Sequence, residues 1–545
     1  MQTCNPTYTG SAARPGAFFA TRIATALLAL LLAGCASLPA DVPRPVSNAL
    51  ATPDATALGQ LVQARRAAAG TRQDSAFQLL DSVDLALNAR LALIDGAQKT
   101  LDLQYYAIHA DSSTELLLQR LRSAAARGVR VRLLLDDLNT AGRDAQVLRL
   151  AGEPGMSIRL FNPLPGGRAS VVGRLLASAS DIPQLQKRMH NKLFIADNAL
   201  GITGGRNLGD AYFGRDSASN FVDLDVLAAG RVVRDMSRSF DRYWNDPLAY
   251  PVEALVSRAE LDALRAPATA AAQGPTATPP PTPVPANPGS VMPDVTASLQ
   301  INEGFDLRRV PLVWAPATLL VDQPGKVGPD DDETDAGETV VDGLLGLMDQ
   351  ARNDVLIVSP YFVPGAAMMK RFADLRARGV RVRVLTNSLA SNDAPAAHAG
   401  YARYRLPLRR LGVELYELHA VQKGRVRALG SAGAADARAS LHSKLVIIDN
   451  RLAVIGSMNL DLRSQLQNSE VALLIRSATL AREATRQIEA TLATGAYRVE
   501  LLEGEVVWRA PPGASFPDAS QEPDASAMLR LLVNMIGPFA PDEML

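Results

Sequence analysis

Apolar and polar positions along this chain follow two rhythms, one helical and one of strands, and both come in the same order twice. Between Ser82 and Ala97 the residues Val83, Leu85, Leu87, Leu91 and Ile94 fall on or near one face of a helix. Thr100 to Tyr106 then alternates apolar with polar residues, the period of a strand. A second helix is expected from Ser113 to Arg127, closed by Gly128 at a natural C-terminal stop, followed by a strand from Val129 to Leu135 that runs into Asp136 and Asp137. The later part of the chain predicts a helix over Leu345–Arg352, a strand over Asp354–Phe362, a helix over Ala366–Arg378 ended by Gly379, and a strand over Val380–Asn387. "AARGVRVRLLLDD" and "RARGVRVRVLTNS" can be laid one on the other. Strands alternating with helices place both halves in the α/β class. A last apolar run, Ala525 to Ile536, predicts a C-terminal helix; with Arg530 its one basic residue, it is expected to dock on the body rather than on a membrane.

Composition adds boundaries. With 545 residues, 47% hydrophobic and 21% charged, the chain is globular and long enough for two or three domains, each with a full core. We divide it into a leader at 1–35, a Pro/Ala/Ser-rich tether at 36–75, a first half at 76–265, a Pro-rich and acidic linker or insertion at 266–340, and a second half at 341–545 that includes the C-terminal helix. The acidic cluster Asp330–Glu333 lacks the ligand spacing of a calcium loop and is read as a solvated face. Lys+Arg and Asp+Glu both number 56, so the chain as a whole has no electrostatic footprint for nucleic acid, and none is expected as a partner.

Inside the duplicated frame one constellation recurs residue for residue. His190, Lys192, Asp197, Gly204, Gly205 and Asn207 have the counterparts His442, Lys444, Asp449, Gly456, Ser457 and Asn459, all at one constant offset. On a strand, residues i and i+2 face the same way, so His and Lys project side by side. Asp197-Asn198 and Asp449-Asn450 look like turn residues that send the chain back as strands Leu200–Thr203 and Leu452–Ile455. At the ends of those return strands the backbone at Gly205 and Ser457 can approach an anion closely, and the amides of Asn207 and Asn459 can donate to it. Two ammonium groups, two amides and two imidazoles describe a phosphate site built in duplicate. Histidines on opposite sides of a phosphodiester permit a two-step reaction: one attacks phosphorus, and the other protonates the leaving alcohol and then deprotonates the next acceptor. Of the five histidines, His109, His398 and His419 lack the pattern. No metal or cofactor is expected, since neither motif contains a Cys and Lys is a poor ligand beside each His.

The pattern His-x-Lys-x₄-Asp-x₆-Gly-(Gly/Ser)-x-Asn resembles the signature of the phospholipase D superfamily; both copies match it, and the resemblance runs from about residue 75 to the end. "RMHNKLFIADNALGITGGRNLGDAYF", "VWAPATLLVDQPGKV", "SPYFVPG" and "LHSKLVIIDNRLAVIGSMNLDLRS" are similar to the bacterial cardiolipin synthase branch, most closely its C type. The resemblance implies two pseudo-symmetric α/β halves packed around a shared active site, no metal, and a phosphohistidine intermediate. It assigns His190 as nucleophile and His442 as acid/base, roles that can be exchanged. It carries Lys192, Lys444, Asn207 and Asn459 over as phosphate binders, with Gly205 and Ser457 beside them, and Asp223 and Glu470 as carboxylates that orient the histidines. Asp197 and Asp449 belong to the same catalytic motif, although their turn-like setting points to structural work. The implied reaction is phosphatidyl transfer between phospholipids. Hydrolysis to phosphatidate is the alternative, because water competes for the same intermediate. A nuclease-type phosphodiesterase is disfavoured by the balanced charge and the lack of an aromatic and basic groove, and a catalytically idle lipid-binding protein by two intact motifs. The acceptor and the oligomeric state are left open.

The leader has the layout of an export signal: Arg14 and Arg22 precede the apolar run Ile23–Leu32, which ends in Leu32-Ala33-Gly34-Cys35. That ending resembles a bacterial lipobox, in which Cys35 is acylated. Each buried CH₂ of an acyl chain contributes about 0.8 kcal/mol, so several chains on one Cys form a firm anchor. The expectation is a protein held in the bacterial cell envelope by lipid and facing the periplasm, with Ala36 favouring the outer membrane over the inner. Many cardiolipin synthases begin instead with transmembrane helices, and here the sequence departs from them.

Overall fold

The computed structural model describes residues 38–165, 182–265, 305–328, 339–421, 438–537 and 541–542. The leader with Cys35, residues 266–304 of the Pro-rich stretch and the cluster Asp330–Glu333 lie outside the described residues.

Two mixed sheets of nine strands form the frame, and eight strands in each follow one order. In the first the spatial order is Val313–Trp314, Ser75–Leu80, Asp225–Gly230, Leu200–Gly204, Leu193–Ala196, Thr100–Tyr105, Arg130–Asp136, Met156–Phe161 and Ala249–Pro251. The second runs Ala317–Val321, Val471–Arg476, Leu452–Gly456, Leu445–Ile448, Asp354–Val358, Arg381–Asn387, Glu414–Leu418, Ala496–Leu502 and Glu505–Arg509. In each, three central strands are parallel and the motif strand pairs antiparallel with the first of them. The two halves of the chain are therefore two copies of one fold, as the periodicity predicts.

The local signals hold to within a few residues. The helix Val83–Gly96 is capped by the Ser82 hydroxyl, which accepts the N–H of Leu85. Ser112–Ala126 and Gly365–Ala377 are followed by Gly128 and Gly379 at φ +91° and +79°, a backbone conformation that costs any residue with a Cβ. Two expectations need correction. The helix expected at Leu345–Arg352 is Val340–Met348, because Thr339 provides the cap; its hydroxyl accepts the N–H of Asp342. The strand expected over Asp354–Phe362 stops at Val358, and Phe362–Val363 forms a separate two-residue strand beside Leu460–Asp461. The break falls at Pro360, which has no N–H for the ladder.

The tether and the linker are more ordered than their compositions suggest. Within 36–75, Ala57–Ala68 is a helix that buries Leu58 and Val62, and residues 45–50 are bound to the first half. Asp241 accepts the Ala49 N–H, Asn245 that of Ser47, and Arg132 and Arg159 donate to the carbonyls of Ser47 and Pro45. Within the expected linker, Val313–Trp314 is an edge strand of the first sheet and Ala317–Val321 an edge strand of the second. A few apolar residues in a polar stretch are enough to complete a ladder, which windowed composition averages away.

A single apolar core joins the halves. Leu193, Ile195, Val226 and Phe240 of the first half pack in one cluster with Leu445, Ile447, Ile455 and Leu473 of the second. Burial of each such side chain contributes roughly 1.5–3 kcal/mol, so the two halves hold each other in one orientation. Among the described residues no helix is long and apolar enough to cross a membrane.

Candidate active site

Each histidine is delivered by a strand segment that pairs with the opposite half. Arg438–Leu441, which leads into His442, lies parallel to Ser219–Val222, which leads into Asp223. Met189, just before His190, bridges in parallel to Ser469, just before Glu470. The backbone N–H groups of His190 and His442 donate to Ser469 and Val222 at 2.9 Å each. The strand expected to run through His-x-Lys begins only after it, at Leu193 and at Leu445. His190-Asn191 and His442-Ser443 are held by the opposite half instead of by a ladder, and the residue between His and Lys reinforces the same seam. Asn191 donates to the Glu470 carbonyl and accepts from the Ser469 hydroxyl, while Ser443 donates to the Val222 carbonyl.

The consequence is an exchange of carboxylates. His190 Nδ1 lies 3.0 Å from both oxygens of Glu470, and His442 Nδ1 lies 2.7 Å from Asp223. Each carboxylate belongs to the half that does not contain its histidine. Both are fully buried, and the imidazoles are only 8% and 5% exposed. Holding Nδ1–H on a carboxylate leaves Nε2 of each ring with the lone pair. Glu470 is held in turn by the hydroxyls of Ser457 and Ser464, and its backbone N–H donates to Asp322, which also accepts from Lys326.

Lys192 and Lys444 are buried beside the rings, their ammonium groups donating to the carbonyls of His190 and His442 at 2.8 and 2.7 Å. Burial, then repulsion from Lys444, brings the Lys192 ammonium down to about 7; burial brings Lys444 to about 8. Burial likewise holds His190 well below the ordinary imidazole range, helped by the charges of Lys192, Lys444 and His442. Geometry joins the two motifs: Glu470, which holds His190, also accepts from Ser457 of the second motif. Burial and Lys444 lower His442 as well, but Asp223 works against them through its hydrogen bond and its charge. The carboxylates part company: burial would raise Asp223, but the hydrogen bond and charge of His442, with Arg206 and Lys444, outweigh it, whereas burial keeps Glu470 raised.

Other motif residues take places that the spacing alone does not disclose. Asp197 and Asp449, both at positive φ, sit in the turns at the far ends of the motif strands. Asp197 accepts the N–H groups of Gln98, Lys99 and Thr100, and Asp449 those of Arg352, Asn353 and Asp354. They tie the motif turn to the start of the neighbouring strand and stand apart from the imidazoles. Gly205 and Ser457 differ from the expected anion cradle, because their N–H groups donate to the carbonyls of Leu224 and Val471. Their service is to the carboxylates. A Cβ on Gly205 would lie 2.3 Å from Oδ1 of Asp223, and Ser457 donates its hydroxyl to Glu470. Gly205→Ala is therefore expected to push Asp223 off His442, lowering kcat at least about tenfold and stability by about 1–3 kcal/mol, read by initial rates and urea unfolding. Asn207 donates to the Tyr212 hydroxyl at 2.9 Å, and the buried side-chain oxygen of Asn459 has no partner among the described residues.

The aromatic wall was not foreseen. Tyr106 meets His190 edge-on at 5.1 Å, and Tyr212 meets His442 in the same way at 5.3 Å, with Phe221 at 5.1 Å. Tyr361 donates to Asp393 beside them. The available signal was that one central strand of each half runs out into tyrosine, Tyr105-Tyr106 and Pro360-Tyr361, at the end where parallel sheets carry their sites. Among the described residues, no group of three or more His, Cys, Asp or Glu is placed to hold a metal ion.

Residues 91–244 and 344–492 match the family model described as cardiolipin synthase, PLD-like domain. The chain is similar to cardiolipin synthase C of Escherichia coli, with 36% identity over 465 residues, 84% of this chain and 93% of that protein. An uncharacterized protein of Helicobacter pylori is 30% identical over 502 residues, 92% of this chain and 95% of that one. Among solved structures, phosphatidylserine synthase of Haemophilus influenzae shares the fold, with a TM-score of 0.50 and 15% identity over 80% of this chain and 91% of that chain.

Proposed function

We propose, since the chain belongs to the cardiolipin synthase, PLD-like domain family, that it transfers a phosphatidyl group from one phospholipid to an alcohol of another through a phosphohistidine. The observation that carries the reading is the pair of buried imidazoles, each held at Nδ1 by a carboxylate from the opposite half, with a buried lysine beside each. Nε2 of His190 attacks phosphorus while Nε2–H of His442 protonates the departing alcohol. The second alcohol then loses its proton to His442 and attacks the phosphohistidine, which returns His190 unchanged. The lysines offset charge on the phosphoryl oxygens, an effect that is largest where water is excluded. His190 suits the nucleophile because its surroundings keep it neutral; His442 suits the acid because Asp223 supports its protonated form.

These shifts set the direction of the pH dependence. Lowered lysines lose their charge as pH rises through about 7 and about 8, and His442 loses its proton in the same direction. His190 takes up its proton only well below its ordinary range, so the nucleophile persists into mild acid. We expect kcat/KM to peak on the acid side of neutrality and to fall above about pH 7–8 rather than near 10, measured across pH at constant ionic strength.

The reaction itself is tested by giving full-length protein labelled phosphatidylglycerol with and without a second phospholipid, and a nucleic acid in parallel. Cardiolipin as product supports the transfer, phosphatidate alone replaces it with hydrolysis, and nucleotide release overturns it. Attachment to the cell envelope through acylated Cys35, facing the periplasm and on the outer membrane, is part of the same reading. It is supported by the Leu-Ala-Gly-Cys ending, and labelled fatty acid should enter the native chain but not Cys35→Ser.

A further inference from the structure

The C-terminal helix, Ala527–Ile536, is apolar on two faces. Leu529, Val533 and Ile536 turn inward and pack with Leu389 and Ala399, so the helix docks on the body as the sequence predicts. Docking uses one of its two apolar faces, however, and the expected choice between body and membrane is not a single choice. Met528, Leu531, Leu532 and Met535 have the i, i+3, i+4, i+7 spacing of a second stripe, and they are 73, 53, 40 and 55% exposed. Among the described residues seven large apolar side chains are exposed, and this helix carries four of them. Scattered exposed apolar residues need no explanation, but a contiguous stripe does.

The helix is connected to the active site through the residues it packs on. It packs on the helix Pro395–Ala402 and on Leu389, two residues beyond Asn387 at the end of a central parallel strand. Asn387 brackets Leu441, donating to its carbonyl at 2.9 Å and accepting its N–H at 2.8 Å, and the next residue is His442. Between Leu389 and Pro395 lies Asp393, which accepts the Tyr361 hydroxyl and whose charge reaches Lys444. A further exposed apolar residue, Leu466, ends the short helix that contains Ser464, a partner of Glu470.

We propose that the outward stripe of this helix is the surface by which the protein lies on a phospholipid bilayer, so that the mouth of the active site meets the headgroups. The inference rests on the phospholipid reading given above. A phosphodiester whose acyl chains stay in a bilayer has to be met at the surface, and the helix that carries the stripe packs on the segment that holds Asp393 and follows Asn387. Methionine and leucine adapt to irregular apolar surroundings, and an interfacial helix immerses its apolar face by about 5–10 Å. Four partly exposed side chains fall short of the roughly 800 Å² per partner of a stable protein interface, which argues against a second copy as the occupant.

The test uses full-length chain and two variants. In Leu532→Trp the added indole should shift its emission to the blue on phosphatidylglycerol vesicles and be quenched by lipids brominated along their acyl chains; Trp244 and Trp508 are buried, and the unsubstituted chain supplies the background. Attachment elsewhere in the chain does not by itself immerse this position. The fourfold variant Met528→Ser, Leu531→Ser, Leu532→Ser, Met535→Ser should lose about tenfold or more in turnover on vesicles while staying within about twofold on a dispersed short-chain phospholipid. Absence of quenching, or equal turnover of variant and native chain on vesicles, overturns the proposal. So does a dimer that the fourfold variant converts to monomer with the indole still unquenched, an outcome that assigns the stripe to a second copy. A native chain inactive on both phospholipid forms removes the catalytic reading instead, and quenching then decides the surface alone.

Discussion

His190→Ala and His442→Ala are each expected to lower turnover by about four orders of magnitude, because nucleophile and acid/base act as a unit and the loss of either stops the cycle. The two variants should fail at different points. With a phosphodiester whose leaving group is a stable anion, no proton is needed for departure, so His442→Ala should still form a stoichiometric burst of covalent enzyme and then stall. His190→Ala should give no burst, since the atom that bonds to phosphorus is gone. A burst in His190→Ala and none in His442→Ala would exchange the assignments, and substantial steady turnover by either variant would contradict the two-histidine mechanism. Both side chains are buried but project into the site, so folding is checked separately by circular dichroism.

Asp223→Asn and Glu470→Gln are expected to cost about 10²–10⁴ in kcat, the range typical of losing the partner that fixes an imidazole's tautomer and steadies its charge. The informative feature is which ring responds. Asp223 lies in the first half but holds His442, at 2.7 Å, and works against the burial and the lysine charge that lower this imidazole. Asp223→Asn should therefore lower His442 further and leave His190 nearly unmoved, a difference that imidazole nitrogen NMR across pH can read. Glu470→Gln should disturb His190, together with the hydroxyls of Ser457 and Ser464 that the carboxylate gathers. Movement of the ring in the same half as the substituted carboxylate would refute the exchange between halves.

The exchange also shows how far a sequence can be read. Asp223 and Glu470 were recognisable as orienting groups, yet nothing local says which ring each one serves. That depends on Arg438–Leu441 lying against Ser219–Val222, and on Met189 bridging to Ser469. Gly205 illustrates the same limit. Its small size suggests room for an anion, but the volume beside it is occupied by the Asp223 carboxylate. The linker shows the same limit: Ala317–Val321 is a strand only because Val471–Arg476 offers it a free edge.

By itself the sequence determined whatever depends on near neighbours: the helical and strand periods, the glycine stops, and the turns at Asp197 and Asp449. These follow from backbone geometry and hydrogen bonds that span a few residues, so they are the same in any copy of the motif. Only the tertiary structure decided which carboxylate reaches which imidazole, what fills the space at Gly205, and where the outward stripe of the last helix lies. Those outcomes come from packing two sheets into one core, where residues more than two hundred positions apart become neighbours. Contact at that range is set by the burial of the whole interface and leaves no periodic trace in the chain.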